Sequence, residues 1–257
     1  MSRATTVVFG DDGSTSADRA FAWIGAQRWD GWTLEVVHAV MPEIGPPVEP
    51  ELAALHEWQP SAPRAIAASV GFSDVRHLTA IADPRLALMH EAGLVVIGPR
   101  GTGVWKSLHL GSVAEWLVSQ PVTPVAVIKD QRPVATTLCA YDGSRHADVA
   151  LRAYLALPWS PSAALDVLIV ADGRVDPAAA EAAARATVGD RSVNVRHQQG
   201  HPTAALFGVI DRERPDLVVI GDRGLTGWSR MLIGSTATAV LRESPASVMV
   251  AGVPPTT

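Results

Sequence analysis

The sequence predicts an α/β fold in two tandem copies, each a parallel sheet with helices on both faces. Three observations predict it. The 257 residues are 47% apolar, enough to bury a sizeable core. Short β-branched runs alternate with stretches of helical period, as strand–helix–strand crossovers require. The whole pattern then occurs a second time, with one copy joined to the next at "DQRPVA", residues 130–135.

In chain order, "TTVVFG" from Thr5 is a continuous apolar run, as expected for a strand buried on both faces. "STSADRAFAWIGAQ" places Ala17, Ala20, Phe21 and Ile24 on one helical face, with a hydroxyl residue available as N-cap. "LEVVHAV" and "AGLVVIG" read as further strands, "SVAEWLVSQ" as a short helix and "PVAVI" as the closing strand. The second copy restates these as "TTLCAYDGSRHADVALRAYLAL", "LDVLIVA", "PDLVVIG" and "ASVMVA". Asp12 maps to Asp142 at an offset of 130, and Gly98 to Gly221 at 123. Two local differences account for the change: the Pro-rich insertion "MPEIGPPVEPE" and a shorter helix after Pro84, both where chains tolerate length changes. The closing strands are edges available for pairing between halves or subunits.

Composition excludes several classes. The formal charge is −5 and the basic residues are scattered, which argues against nucleic-acid binding by phosphate neutralisation. No apolar run approaches bilayer length, and the one near the start is too short for a signal peptide, so no membrane contact is expected. Cys139 is the single cysteine, which rules out an intrachain disulfide and makes cytoplasmic residence the default. Its setting, "TTLCAYDGS", reads as a buried strand and a small core residue.

One motif carries chemistry. Gly98, Gly101, Gly111 and Ser112 form a G-x2-G-x9-G-S pattern that returns as Gly221, Gly224, Gly234 and Ser235. Glycines after a strand let backbone N–H groups approach an anion, and the last glycine leads into a helix whose N-terminus favours phosphate. Glycines also punctuate any strand-to-helix turn, and common descent explains part of the shared spacing. In the same parallel sheets, ligands bind beyond the carboxyl ends of the strands, where both stretches fall. The Lys106–Ser107 pair is not a Walker A loop, because Trp105 precedes it where glycine is needed. Trp105 and Trp228 read as packing or surface-contact residues, and Lys106 and Arg230 as part of a solvated face.

With the glycine spacing, the "DGS" after the first strand and the repeated sheet pattern, the chain resembles the universal stress protein family in its tandem-domain, ATP-binding form. The resemblance covers essentially the whole chain, with one family domain over residues 1–130 and another over 134–257. It implies five-stranded, Rossmann-like domains of adenine nucleotide α-hydrolase-like shape that bind ATP. The strand-1 ends would contribute Gly10 and Asp12, and Ala140 and Asp142. The strand-2 ends would contribute backbone near Ala39 and Val170. The phosphate shells would be Gly98, Gly101, Gly103, Gly111, Ser112 and Val113, and Gly221, Gly224, Gly227, Gly234, Ser235 and Thr236. A homodimer is an expectation by analogy alone.

Two readings of the aspartates stand side by side: acceptors for ribose or adenine edges, or turn residues before a helix. Asp11 with Asp12 are candidates to hold Mg2+ against the nucleotide, although neighbours on a strand end point different ways. Ala140 in place of Gly10 would narrow the second pocket, and the short helix after Pro84 removes roughly a turn beside the first. His197 and His201 are four apart, but Gly200 and Pro202 argue against a helical metal pair. The leading expectation is a regulatory ATP-binding protein of the stress response. The alternatives are an ATP hydrolase or nucleotidyl transferase, against which stands the lack of an evident general base, lysine clamp or arginine finger in the loops, and a nucleotide-free scaffold.

Overall fold

The computed structural model describes residues 5–41, 70–89, 92–101, 110–120, 123–225 and 233–253. Its first half contains β1 (Thr6–Gly10), α1 (Thr15–Ala26), β2 (Thr33–Val40), β3 (Asp74–Ile81), α2 (Pro84–Ala87), β4 (Leu94–Ile97), α3 (Ser112–Ser119) and β5 (Val125–Val127). The second contains β6 (Thr136–Ala140), α4 (Arg145–Leu155), a 3-10 turn (Ser160–Ser162), β7 (Ala164–Ala171), α5 (Pro177–Val188), β8 (Asn194–Gln199), α6 (Pro202–Glu213), β9 (Leu217–Gly221), α7 (Ser235–Glu243) and β10 (Ser247–Ala251). Each half orders its strands 3-2-1-4-5 in parallel, and the ten strands form one sheet, β3-β2-β1-β4-β5-β10-β9-β6-β7-β8. The junction is the antiparallel pair β5–β10, with Val125, Ala126 and Val127 opposite Val250, Met249 and Val248. The closing strands thus do pair between the halves.

Strand residues alternate between two cores. Val7 and Phe9 of β1 face a layer with α1, α4 and α5, while Val8 faces one with α3, α6 and α7. Both layers run without a break across the two halves. The first is knit by aromatic rings: Trp159 of the second half meets Trp23 and Trp29 of the first edge-on, at 5.7 and 6.2 Å between centroids. Two buried polar groups there are matched, the Trp29 indole N–H donating to Ile24 O at 2.9 Å and Val134 N–H to Gln27 Oε1 at 3.1 Å, whereas the buried Trp159 indole N–H has no hydrogen-bond partner among the described residues. Cys139 is a core residue as expected, fully buried, and burial pushes its thiol up to about 12.

The outer strands β3 and β8 were not legible as strands in the pattern of apolar runs. "DVRHLTAI" and "NVRHQQ" are polar because they lie at the sheet's edges, half exposed and paired on one side only. The tripeptide Val-Arg-His, at 75–77 and again at 195–197, is the repeat that marks them. The helix after Pro84 is short, as expected: α2 has four residues where α6 has twelve. Leu86 and Met89 are consequently exposed, whereas α6 buries Leu206, Val209 and Ile210. Among the described residues no helix is long and apolar enough to cross a membrane.

Lys129, just beyond β5, ties the halves together. Its Nζ donates to Leu241 O at 2.8 Å and Ser244 O at 2.6 Å, at the C-terminus of α7, where a cation complements the helix dipole. Burial, and secondarily the like charge of Arg100, lower its pKa to about 8 from 10.5. Between those values the unfolded chain holds more protons than the folded one, so this group's contribution to stability rises with pH through that window and is lost as pH falls through about 8. Urea titrations at several pH values should show the rise, at most about 3 kcal/mol from one such shift, and Lys129→Met should flatten it.

Candidate functional site

All second-half strands run the same way, so β6, β7 and β9 end on one edge of the sheet, where their connections diverge. A cavity of about 760 Å³ opens there. Ala140, Leu168, Val170, Leu206 and Ile220 supply apolar wall, and Gly221, Gly224, Gly234, Ser235 and Thr236 supply backbone and hydroxyl groups. Its size and mixed lining suit a small organic ligand with a polar end.

The turn after β6 is built around Asp142. Ser144 caps α4 by accepting from Ala147 N–H at 3.2 Å, and Gly143 takes the positive φ of +78° that the turn requires. Asp142 Oδ1 accepts from Ser144 N–H at 2.9 Å, and its Oδ2 accepts from Leu225 N–H at 3.0 Å. The carboxylate therefore clasps the β6 turn to the loop after β9. Of the two readings from sequence, the turn role is directly visible. A carboxylate has lone pairs beyond those two, so the same side chain on the cavity wall can still accept from a ligand hydroxyl.

The three motif glycines do three different jobs. A Cβ on Gly221 would lie 2.9 Å from backbone atoms of His146 and Ala147, and one on Gly98 2.8 Å from Ser16 C, so these glycines admit the first turns of α4 and α1. A Cβ on Gly224 would meet Asp142 Oδ2 at 2.7 Å, and one on Gly101 would meet Asp12 Oδ2 at 2.2 Å, so these admit the aspartates. Gly234 and Gly111 are N-caps of α7 and α3 in extended conformation, and their N–H groups donate to Asp222 O and Pro99 O at 2.7 Å. Lacking side chains, they offer no cap of their own to the first-turn amides.

In the first half, Gly10, Asp12, Ala39, Gly98, Gly101, Gly111, Ser112 and Val113 occupy the matching positions at the strand ends and at the start of α3. Asp12 Oδ1 accepts from Ser14 N–H at 3.1 Å. The space of Gly10's missing methyl is taken by Leu88, whose Cδ1 would lie 2.9 Å from a Cβ there. Ala140, its counterpart, lines the open cavity, so its methyl does not close the second pocket. Gly103 and Gly227 lie outside the described residues, as do Trp105, Lys106, Trp228 and Arg230. Asp11, a candidate for Mg2+, accepts from Gly13 N–H at 2.9 Å, and burial raises its pKa. His197 on β8 pairs with Glu181 at 2.6 Å, while His201 is the N-cap residue of α6. Among the described residues no three metal-ligating side chains gather.

A model of the universal stress protein family matches residues 4–129 and 175–252. The chain belongs to the universal stress protein family. Its relatives include universal stress protein Rv2623 of Mycobacterium tuberculosis, 26% identical over 289 aligned positions that cover 95% of each chain. Another is Mb2028c of Mycobacterium bovis, 29% identical, covering 95% of this chain and 96% of that one. A universal stress protein from Archaeoglobus fulgidus shares the fold end to end, with a TM-score of 0.76, 21% identity and coverage of 98% and 99%. The second matched stretch begins after β7, so for β6, Asp142 and Val170 the repeat of the fold itself supplies the correspondence.

Sequence reasoning missed part of this universal stress protein's site. Arg223, Asp172, Arg174, Gln199 and His201 all line the cavity. Behind Arg223 lies Asp222, 2% exposed at its side chain, with Oδ1 against His146 Nδ1 and Oδ2 3.3 Å from Arg223 Nε. For Asp222 the signal was the motif's one variable position there, "GDRG" in the second copy against "GPRG" in the first, and for Arg223 it was the arginine that both copies share.

The packing role of Gly221 is testable by comparison with Gly208, inside α6, whose Cβ would meet nothing within 4 Å. Gly221→Ala should lose about 1–3 kcal/mol in urea unfolding, by overpacking against α4. Gly208→Ala should gain about 0.5–1 kcal/mol, by lowering the entropy of the unfolded chain and favouring helix.

Proposed function

We propose that this protein binds an adenine nucleotide, ATP, in the second-half cavity, and acts as a regulatory binding protein whose nucleotide state tunes assembly or partner choice. One observation carries the reading: Ala140, Asp142, Val170, Gly221, Gly224, Gly234, Ser235 and Thr236, expected from sequence to hold nucleotide, all line a single cavity. The apolar wall suits a base, and Asp142 suits a ribose hydroxyl. The start of α7 suits the phosphates, through its first-turn amides and dipole. Asp142 engages two backbone N–H groups, which fits a clasp and acceptor better than a proton-abstracting base, and this favours binding over turnover. Residence in the cytoplasm, consistent with a lone buried thiol, is part of the same reading.

The test is to denature freshly purified protein, identify released nucleotide by chromatography, and titrate ATP into stripped protein. Ser235 is exposed at the first position of α7, so Ser235→Glu sets a carboxylate against the phosphate while favouring the helix by about 0.3–1 kcal/mol. ATP at one per chain, lost in Ser235→Glu and kept in Ser112→Glu, is the expected result. Wild-type protein that releases no nucleotide and fails to bind added ATP would sink the reading and leave the scaffold role.

A further inference from the structure

We infer that Arg223 makes the second-half site selective for polyphosphate over monophosphate nucleotides, with the buried Asp222 as its positioning residue. This rests on the nucleotide reading and deepens it. Arg223 lies between the first two motif glycines, on the cavity wall. Its Cα lies 3.5 Å from where a Cβ of Gly234 would stand, so its backbone packs on the N-cap of α7. Among the motif's described residues the one cation therefore springs from beside the helix end where phosphate oxygens would gather. A guanidinium offers a planar fork of five N–H donors that matches phosphate geometry, and each charge-assisted bond is stronger than a neutral one.

Asp222 explains how that side chain is held. Its N–H donates to Ala251 O at 3.0 Å and its carbonyl accepts from Gly234 N–H at 2.7 Å, so the backbone is fixed between β10 and α7. Its carboxylate is buried between His146 Nδ1 and Arg223 Nε. A buried carboxylate needs such partners, and it restrains the arginine in return.

The first half shows that this cluster was not demanded by the fold. Pro99 stands where Asp222 does, Ser16 where His146 does, and Lys129 where Gly252 does. The last exchange is forced by the first, because a Cβ on Gly252 would lie 2.1 Å from Asp222 Oδ1. Three positions differ between the halves around one carboxylate, beside the cavity described at the second-half strand ends.

Calorimetric titration of ATP, ADP and AMP into full-length wild type, Arg223→Gln, Arg223→Lys and Asp222→Asn tests this. Loss of one charge-assisted contact predicts about 10–100-fold weaker ATP binding by Arg223→Gln, with AMP changed by less than about 3-fold. Arg223→Lys should fall between. Asp222→Asn should weaken ATP in the same direction, by about 3–10-fold, as the arginine loosens. A cooperative urea-unfolding transition serves as the check that each variant is folded. Equal loss for ATP and AMP, or no loss, in Arg223→Gln overturns the assignment. Tighter ATP binding in Asp222→Asn would mean that the carboxylate contributes only repulsion, which overturns its positioning role; should that variant fail to fold, the two arginine variants still decide. A wild type that binds none of the three nucleotides defeats the parent reading instead.

Discussion

Three residue pairs between β5 and β10 set the terms for everything else in this protein. Every other strand pairing is parallel, which fixes each half's strand ends on one edge. Because the junction is antiparallel, the edge bearing the carboxyl ends in one half is opposite to that in the other. Two sites built on this sheet cannot be neighbours. What connects the two edges is α7: its N-terminus lies on the second-half cavity, and its C-terminus is capped by Lys129, at the carboxyl end of β5. The same lysine feels the charge of Arg100 in the first half's glycine loop. One helix thus has an anion-favouring end at the second-half cavity and a cation-complemented end at the carboxyl edge of the first half.

The halves are far from copies in their surroundings. The truncated α2 leaves Leu86 and Met89 in solvent, while the full-length α6 lines the cavity with Pro202 and Leu206. Leu88 fills the space above Gly10, and Ala140 supplies its own methyl instead. The strand end is thus filled from a neighbouring element in the first half and by the residue's own methyl in the second. The aromatic node around Trp159 and the Val134–Gln27 hydrogen bond bind the halves on the other face, so the asymmetry is carried by one frame with a continuous core.

The inner strands were legible from sequence because burial on both faces demands unbroken apolar runs, as in "LVVI" of both β4 and β9. The edge strands were not, because one unpaired side and a half-solvated face permit Arg76, His77, Arg196 and His197. Their number came from the family resemblance, and only the repeated Val-Arg-His would have located them. The second copy's motif glycines and Asp142, which line the cavity, were singled out because their spacing survives in both copies. Asp222 was hidden for the opposite reason: it sits at the motif position where the copies differ, Pro99 in one and Asp222 in the other, while Arg223 repeats Arg100 and was passed over because attention went to the glycines.

That contrast bears on what a glycine motif can prove. Gly98 and Gly221 are required by the backbone of the first turns of α1 and α4, while Gly101 and Gly224 make room for the side-chain oxygens of Asp12 and Asp142. The first requirement holds whether or not a phosphate is present, so a chain that had lost its ligand would keep the first glycine to keep its fold. Only the third glycine, at the helix N-cap, lacks a packing constraint as tight: its Cβ would meet nothing closer than 3.3 Å in Gly234 and 3.4 Å in Gly111. Evidence of binding therefore has to come from groups the fold does not need. In this protein those are the open wall beneath a full-length α6 and an arginine held by a buried carboxylate, and both belong to the second half.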